Sequence, residues 1–261
     1  MKPDYKNWVP RGMVVSFFCG AAAALAVTLL MAFLLRPGAL RTVLVVLFAL
    51  TAAGLCVAGF WMLAMHRAFS YDGRRQMSRQ IVEGVAAYVS LPAGGVGLDV
   101  GCGSGALTIA CAKRCPEASM VGLDRWGKEY ASYNKPLCER NARAEGVSNV
   151  SFRQGNAVKL DCPDESFDAV VSNYVYHNIP GIDRQELLLE TLRTLKKGGV
   201  FAIHDIMSPR RYGDMQAFAE KLRKMGYAEV QLIDTTNGMF MTKREAAWMD
   251  LSGSTLLTGR K

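Results

Sequence analysis

The sequence predicts an α/β protein: a seven-stranded, mostly parallel sheet with helices on both faces, preceded by a two-helix transmembrane hairpin. Three observations predict it. Apolar runs of strand length alternate with helix-length runs from Leu91 to the C-terminus. The first of those strands leads straight into a glycine-rich turn. Two stretches without a charged residue, Met13–Leu35 and Thr42–Met65, stand ahead of everything else.

Length and charge set the frame. A chain of 261 residues suits one domain of ordinary size plus an extra segment. The net charge is +8, but it is unevenly placed: residues 1–90 carry 9 Lys/Arg against 3 Asp/Glu, and residues 91–261 carry 22 against 20. The sheet region is therefore nearly neutral, which argues against a nucleic-acid-binding enzyme, whose basic surface would surround its site. Seven cysteines are scattered without a C-x-x-C pair, and there are only three histidines. No metal site or disulfide framework is expected, and the usage fits a reducing compartment. Cys111 and Cys115, four apart, read as helix packing.

The chain divides into a tail over 1–12, a hairpin over 13–65 with spans 13–35 and 42–65, a linker with an amphipathic helix over 66–90, and the α/β domain over 91–261. At 1.5 Å per residue each span reaches about 35 Å, enough to cross a hydrocarbon core roughly 30 Å thick. Both spans are apolar all round rather than along one stripe, unlike a helix buried on one face. Lys2, Lys6 and Arg11 precede the first span and Arg67, Arg74, Arg75 and Arg79 follow the second, whereas the turn 36–41 holds two arginines. The positive-inside rule puts both termini in the cytoplasm of a bacterial-type inner or plasma membrane, with Trp8 and Trp61 at one boundary. Gly20 with Ala24, and Gly54 with Ala58, would let the helices pack closely, either within the hairpin or in a homodimer. Tyr71, Arg74 and Arg75 would touch either anionic headgroups or a ligand at the sheet, and their nearness to the hairpin favours lipid.

Strands are expected at 97–100, 119–123, 150–153, 167–172, 200–206, 229–233 and 255–258, and helices at 106–113, 128–145, 184–196, 214–225 and 243–250. Asp183 with Glu186 and Thr242 with Glu245 have N-cap spacing, and Gly146, Gly198 and Gly226 stand at helix ends. The last two strands, lacking a long crossover, read as an antiparallel pair. In such a sheet, ligands gather at the carboxyl edges of the strands.

Chemistry concentrates in Leu98-Asp99-Val100-Gly101-Cys102-Gly103-Ser104-Gly105. A strand, a turn with glycines at alternating positions and a helix N-terminus make a site for a nucleotide-like ligand. Gly101, Gly103 and Ala106 also satisfy the dinucleotide fingerprint, so a nicotinamide oxidoreductase is an alternative. Asp99, two residues before the first glycine, weighs against that alternative without removing it. A carboxylate there would repel a pyrophosphate and suits a cation. Asp124, ending the second strand with Arg125 after it, lies where its oxygens can accept both ribose hydroxyls, or else caps the next helix. Trp126 would pack either against the base or into the core.

The pattern Asp-x-Gly-x-Gly-x-Gly resembles the first motif of class I S-adenosylmethionine (SAM) methyltransferases. That resemblance runs from about Gln76 to Lys261 and includes Leu195-Lys196-Lys197-Gly198-Gly199 before the fifth strand and the terminal 256–261. It implies a Rossmann-like fold with SAM as cofactor, held by Asp99, Gly101, Cys102, Gly103, Gly105, Asp124, Arg125, Asn156, Ala157 and Asn173. Asn156-Ala157 stands where the family usually has an acid-Ala pair reading the adenine edge. The run Phe167–Asn178 resembles the fourth-strand motif of small-molecule methyltransferases, not the Pro-Pro signature of enzymes acting on amide or base nitrogens. Asn173, Tyr174 and His177 are the catalytic candidates. His177 is the general base if the acceptor must lose a proton, or else a plain loop residue. His204 and Asp205, ending the fifth strand, are weaker candidates for the base, or else structural. The expected function is methyl transfer to a small, apolar or membrane-associated acceptor such as a lipid, a quinone-like molecule or a hydrophobic thiol. A SAM-binding membrane protein without turnover is the other reading.

Overall fold

The computed structural model describes residues 2–127 and 132–261. The chain separates into two units, one formed by residues 6–79 and the other by the N-terminal five residues with residues 80–261.

In the first unit, α1 (Arg11–Leu34) and α2 (Ala39–Phe69) form an antiparallel pair joined by a short Pro-Gly turn. α1 starts two residues ahead of the expected first span and ends one short of it, while α2 runs past the expected second span at both ends. Phe18 meets Phe60 edge-on at 5.3 Å, and a Cβ on Gly59 would stand 3.1 Å from the Phe18 ring. Gly20 also faces its neighbour, 3.3 Å from Leu55. Gly54 meets nothing, so the contact runs through Gly20, Ala24 and Gly59 rather than through the Gly54–Ala58 pair. The remaining surface is apolar: Phe33 is 86% exposed and Val57 70%. His66, late in α2, pairs through Nδ1 with the Val9 carbonyl at 2.8 Å, and Asn7 donates to the His66 carbonyl at 2.8 Å.

The second unit contains most of α3 (Met77–Ala86) and the sheet. Its strands are β1 (Val96–Val100), β2 (Ser119–Asp124), β3 (Val150–Gln154), β4 (Phe167–Asn173), β5 (Leu195–Ile206), β6 (Ala228–Asp234) and β7 (Ser254–Arg260). Their order is β3-β2-β1-β4-β5-β7-β6, with β7 antiparallel to both neighbours. This is a seven-stranded Rossmann-like sheet with a terminal antiparallel pair, as the sequence predicts. The helices between strands are α4 (Ala106–Arg114), α5 (Lys135–Ala144), α6 (Arg184–Arg193), the short α7 (Pro209–Tyr212), α8 (Met215–Lys224) and α9 (Lys243–Trp248). Expected helix residues 128–131 lie outside the described residues, and α5 starts at Lys135 because Asn134 caps it, accepting from Leu137 N–H at 2.9 Å. Thr242 and Glu245 complete a capping box on α9.

The core forms where strand faces of alternating apolar residues meet amphipathic helices. Leu98, Val100, Val170, Phe201, Ile203 and Leu257 from the sheet pack with Leu188, Leu192, Phe218 and Leu222. Fully burying each such side chain stabilises the fold by about 1.5–3 kcal/mol. β5 begins earlier than the expected Val200. Phe167 pairs with Leu195 but Ala169 pairs with Val200, so Lys196–Gly199 bulges out of the ladder as a turn inside the strand. Gly198 takes φ +78° there.

Candidate active site

The glycine turn sits at the carboxyl edge of β1 and is pinned to the end of β2. Both Gly101 and Cys102 donate their N–H to the Leu123 carbonyl, at 2.7 and 3.1 Å. Gly101 has φ +77°, and a Cβ on it would stand 2.3 Å from Val175. That close approach brings the chain after β4 against the turn. Gly103, at φ +54°, has nothing within 4 Å of a would-be Cβ, so the backbone there is bare on one side. Gly105 is the N-cap of α4, at φ +82°.

Asp124 closes the turn from the other side. Its carboxylate accepts from Gly103 N–H at 2.8 Å and from Trp126 N–H at 2.7 Å, leaving a lone pair on each oxygen. The Trp126 indole lies on the turn and donates to the Gly103 carbonyl at 3.1 Å. Gly155 N–H bonds the Asp124 carbonyl at 2.9 Å, which sets the exposed Asn156 and then Ala157 beside it. Arg125 is exposed, and its carbonyl accepts from Gln154.

Asp99 lies beneath the turn. It is 1% exposed and accepts from the Thr108 hydroxyl at 2.6 Å. Burial pushes its carboxyl up to about 7; the Thr108 bond opposes this and the Asp124 charge adds to it. Cys102 is also buried, which raises its thiol well above the usual range. It contributes backbone to the turn.

The other half of the site grows from the ends of β4 and β5. Beyond Asn173 the chain turns at Tyr174 (φ +55°) into a single 3-10 turn, Tyr176–Asn178. The Asp205 carboxylate, 0% exposed, anchors that turn. One oxygen accepts from Tyr176 N–H (2.8 Å) and His177 N–H (3.2 Å), the other from Ile206 N–H (2.7 Å) and the His177 ring Nδ1 (2.5 Å). Burial works to raise the Asp205 pKa, but those bonds and His177 outweigh it, so the net shift is downward. The ionised Asp205 accepts a hydrogen bond from His177 Nδ1–H, which leaves Nε2 as the other ring nitrogen of a side chain that is 14% exposed.

His204 serves a different purpose. It is fully buried, and its ring nitrogens reach Asn173 Oδ1 (2.8 Å) and Thr235 Oγ1 (2.9 Å), while burial lowers its pKa to about 4. It holds Asn173 in place as a neutral ring. Tyr174 hydrogen-bonds Ser254 Oγ at 2.7 Å and stacks edge-on with His204 at 4.7 Å, and burial raises its hydroxyl pKa. Tyr174 is therefore tied back into the sheet rather than presenting its hydroxyl as a base. Among the described residues Arg184 Nε is a buried polar atom without a hydrogen-bond partner, and the buried Tyr212 hydroxyl stands against the Asp205 carboxylate; burial, and then that charge, raise its pKa.

The structure thus brings Asp99, Gly101, Cys102, Gly103, Gly105, Asp124, Asn156 and Ala157 together around the turn. It joins Asn173, Tyr174 and His177 to them through Val175. Sequence reading missed Asp205 as the partner of His177 and gave no role to Tyr212. The signal for the first was an acid ending the strand next to the one that leads to the histidine.

The methyltransferase-domain family matches residues 98–203, which span the turn, Asp124, His177 and most of β5. Residues 98–203 carry a methyltransferase domain. Demethylmenaquinone methyltransferase from Geobacillus stearothermophilus is 34% identical over 122 residues, 46% of this chain and 49% of that protein. The chain spans about half the length of the curated relatives it matches. Among solved structures, geranyl diphosphate methyltransferase with geranyl diphosphate and sinefungin aligns with a TM-score of 0.55 at 16% identity, over 77% of this chain and 80% of that one. The [4+2]-cyclase SpnF aligns at 0.54 and 21% identity, over 72% and 82%. These two show the fold alone. The cofactor of the domain is SAM. The bare backbone at Gly103 and the flanking carboxylate of Asp124 fit its nucleoside, and the acid beneath the turn fits its positive charge.

Proposed function

We propose that this chain is a membrane-anchored methyltransferase acting on a small apolar acceptor of the quinol type, with His177 as general base. The His177–Asp205 pair beside the glycine turn carries the reading. SAM, when bound, supplies a methyl group on a cationic sulfur, activated for in-line displacement. Asp124 orients the ribose, Asn156 and Ala157 meet the adenine edge, and the turn contributes its bare backbone at Gly103. Asp99 and Asp124 place negative charge around the cationic ligand.

On the acceptor side, the sulfonium leaves no proton bookkeeping for the methyl itself. The acceptor hydroxyl loses its proton to His177 Nε2 as the new bond forms, and Asp205 stabilises the imidazolium through Nδ1. Bound SAM, oriented by Asp124 and the turn, would supply the methyl to the deprotonated acceptor oxygen and leave as its neutral thioether, the sulfur taking the electron pair of the broken bond. Positioning supplies much of the rate, about 7–11 kcal/mol in favourable cases.

The membrane half of the proposal rests on α1 and α2. Their 24 and 31 residues reach about 36 and 46 Å, beyond the ~30 Å hydrocarbon core, and their outward side chains are apolar. The basic flanks put the catalytic domain on the cytoplasmic side. Relatives named for demethylmenaquinone make a quinol the acceptor to try first. The test is transfer of tritiated methyl from SAM into a bacterial membrane extract and into demethylmenaquinol in detergent. Label in an apolar quinone-type product supports the reading. Label only in water-soluble acceptors overturns the acceptor class, and SAM binding without any transfer overturns the catalytic one.

A further inference from the structure

We propose that the N-terminal tail is a working part of the cofactor turn, acting through Asn141 as a positioning residue. The inference rests on the cofactor site described above. Asn141, on α5, is 1% exposed. Its side-chain amide uses both N–H donors, one to the Ser104 carbonyl (3.0 Å) and one to the Asp4 carbonyl (3.0 Å), and its oxygen accepts from Asp4 N–H (2.8 Å). One buried amide therefore joins the tail to the middle of the glycine turn.

Two neighbours on the same face of α5 extend the connection. Cys138, three residues earlier, donates its thiol to the Gly103 carbonyl at 3.2 Å. Glu145, just past the helix, accepts from the Tyr5 hydroxyl (3.1 Å) on one oxygen and pairs with Lys113 of α4 (2.5 Å) on the other. Positions 138, 141 and 145 recur at helical spacing, so a single stripe grips the turn and the helix that follows it. The tail covers that stripe, with Tyr5 only 6% exposed.

The geometry gives this grip a consequence for the ligand side. A trans peptide points its carbonyl and its N–H in opposite directions. Drawing the Gly103 carbonyl toward Cys138 and Trp126 turns the Ser104 N–H the other way. Drawing the Ser104 carbonyl toward Asn141 fixes the next peptide, whose Gly105 N–H closes on the Cys102 carbonyl at 2.7 Å. The docked tail is what satisfies the rest of the Asn141 amide and holds its rotamer. Without it the amide is free to turn to water, and the turn loses a fixed orientation. Because the tail leads directly into α1 at Arg11, the hairpin and the cofactor turn are linked by only a few residues of chain.

The test is a double-mutant cycle on the full chain in detergent, with S-adenosylhomocysteine affinity read by calorimetry and SAM kinetics read alongside. Deleting residues 2–5, or replacing Asn141 by alanine, should each weaken binding about tenfold, the scale of two or three lost hydrogen bonds. The two together should cost little more than either alone. KM for SAM should rise, while KM for the acceptor stays unchanged and kcat at saturating SAM changes less than about threefold. Should the truncated chain fail to fold, Asp4→Pro, which removes the N–H that Asn141 accepts, carries the same cycle. Additive losses, or an affinity untouched by the truncation, would overturn the inference while leaving the cofactor site standing. Absence of binding by the intact chain would remove both.

Discussion

Replacing His177 by glutamine removes the proposed base while leaving a polar side chain of similar reach beside Asp205. The structure sets what should follow. Asp205 keeps its three backbone donors, from Tyr176, His177 and Ile206, so the turn stays anchored. The lost ring bond to a charged group costs about 1.5–3 kcal/mol of stability, a sizeable part of the ~5–15 kcal/mol typical of a domain but short of unfolding it. The catalytic loss is larger and can be sized independently. A phenolic acceptor with a pKa near 10 is ionised at about one part in a thousand at pH 7. A base that removes that proton is then worth at most about 10³-fold, inside the ~10²–10⁴ range of general-base catalysis. His177→Gln should therefore lower kcat about 10²- to 10³-fold at pH 7 and leave S-adenosylhomocysteine affinity within about threefold. Its rate should climb roughly tenfold per pH unit toward pH 9, as the acceptor ionises unaided. Initial rates of tritiated-methyl transfer at saturating SAM and acceptor, from pH 6.5 to 9, measure all of this. A folded variant within threefold of wild type at pH 7, or one equally slow at pH 9, would refute the reasoning.

Other outcomes follow from the remaining groups. Asp124→Ala removes the acceptor for Gly103 N–H and the proposed ribose contact, so SAM should bind at least about tenfold more weakly by calorimetry. Asp99 has a folded pKa of about 7, raised from 3.8, so its burial costs stability as pH rises from about 4 to 7. A cation bound above it favours the ionised form. SAM should thus bind more tightly at pH 8 than at pH 6 and release a proton near pH 7, measurable from calorimetry in buffers of different ionisation enthalpy; a flat profile would count against the Asp99 role. Tyr212→Phe removes a buried hydroxyl that stands against the Asp205 carboxylate and helps hold its pKa down, so the melting temperature should fall by about 2–4 °C, and a melting temperature that holds or rises would count against that contact.

The cofactor half of the site was legible because its residues are neighbours along the chain. Asp99 to Gly105 is one strand end and one turn, and Asp124 follows after a single βα unit. Such local spacing survives in the sequence as a pattern of glycines and acids. The fold was legible for the same reason, since each strand and helix announces itself by periodicity and by punctuation such as Asp183, Thr242 or Gly226. The acceptor half is different in kind. His177 and Asp205 stand 28 residues apart and meet only because β4 and β5 pair in register, Asn173 beside His204. In the sequence His204 and Asp205 are adjacent and look alike as candidates. Strand geometry separates them: successive side chains point to opposite faces, so one turns inward to Thr235 and becomes a neutral strut, and the other turns to the loop after β4 and becomes the anchor of His177. The same reasoning explains the tail. Asp4 and Asn141 are 137 residues apart, and nothing local marks either one. What sequence order hides in this domain is long-range pairing between groups that look ordinary alone, as with His177 and Asp205 or Asp4 and Asn141.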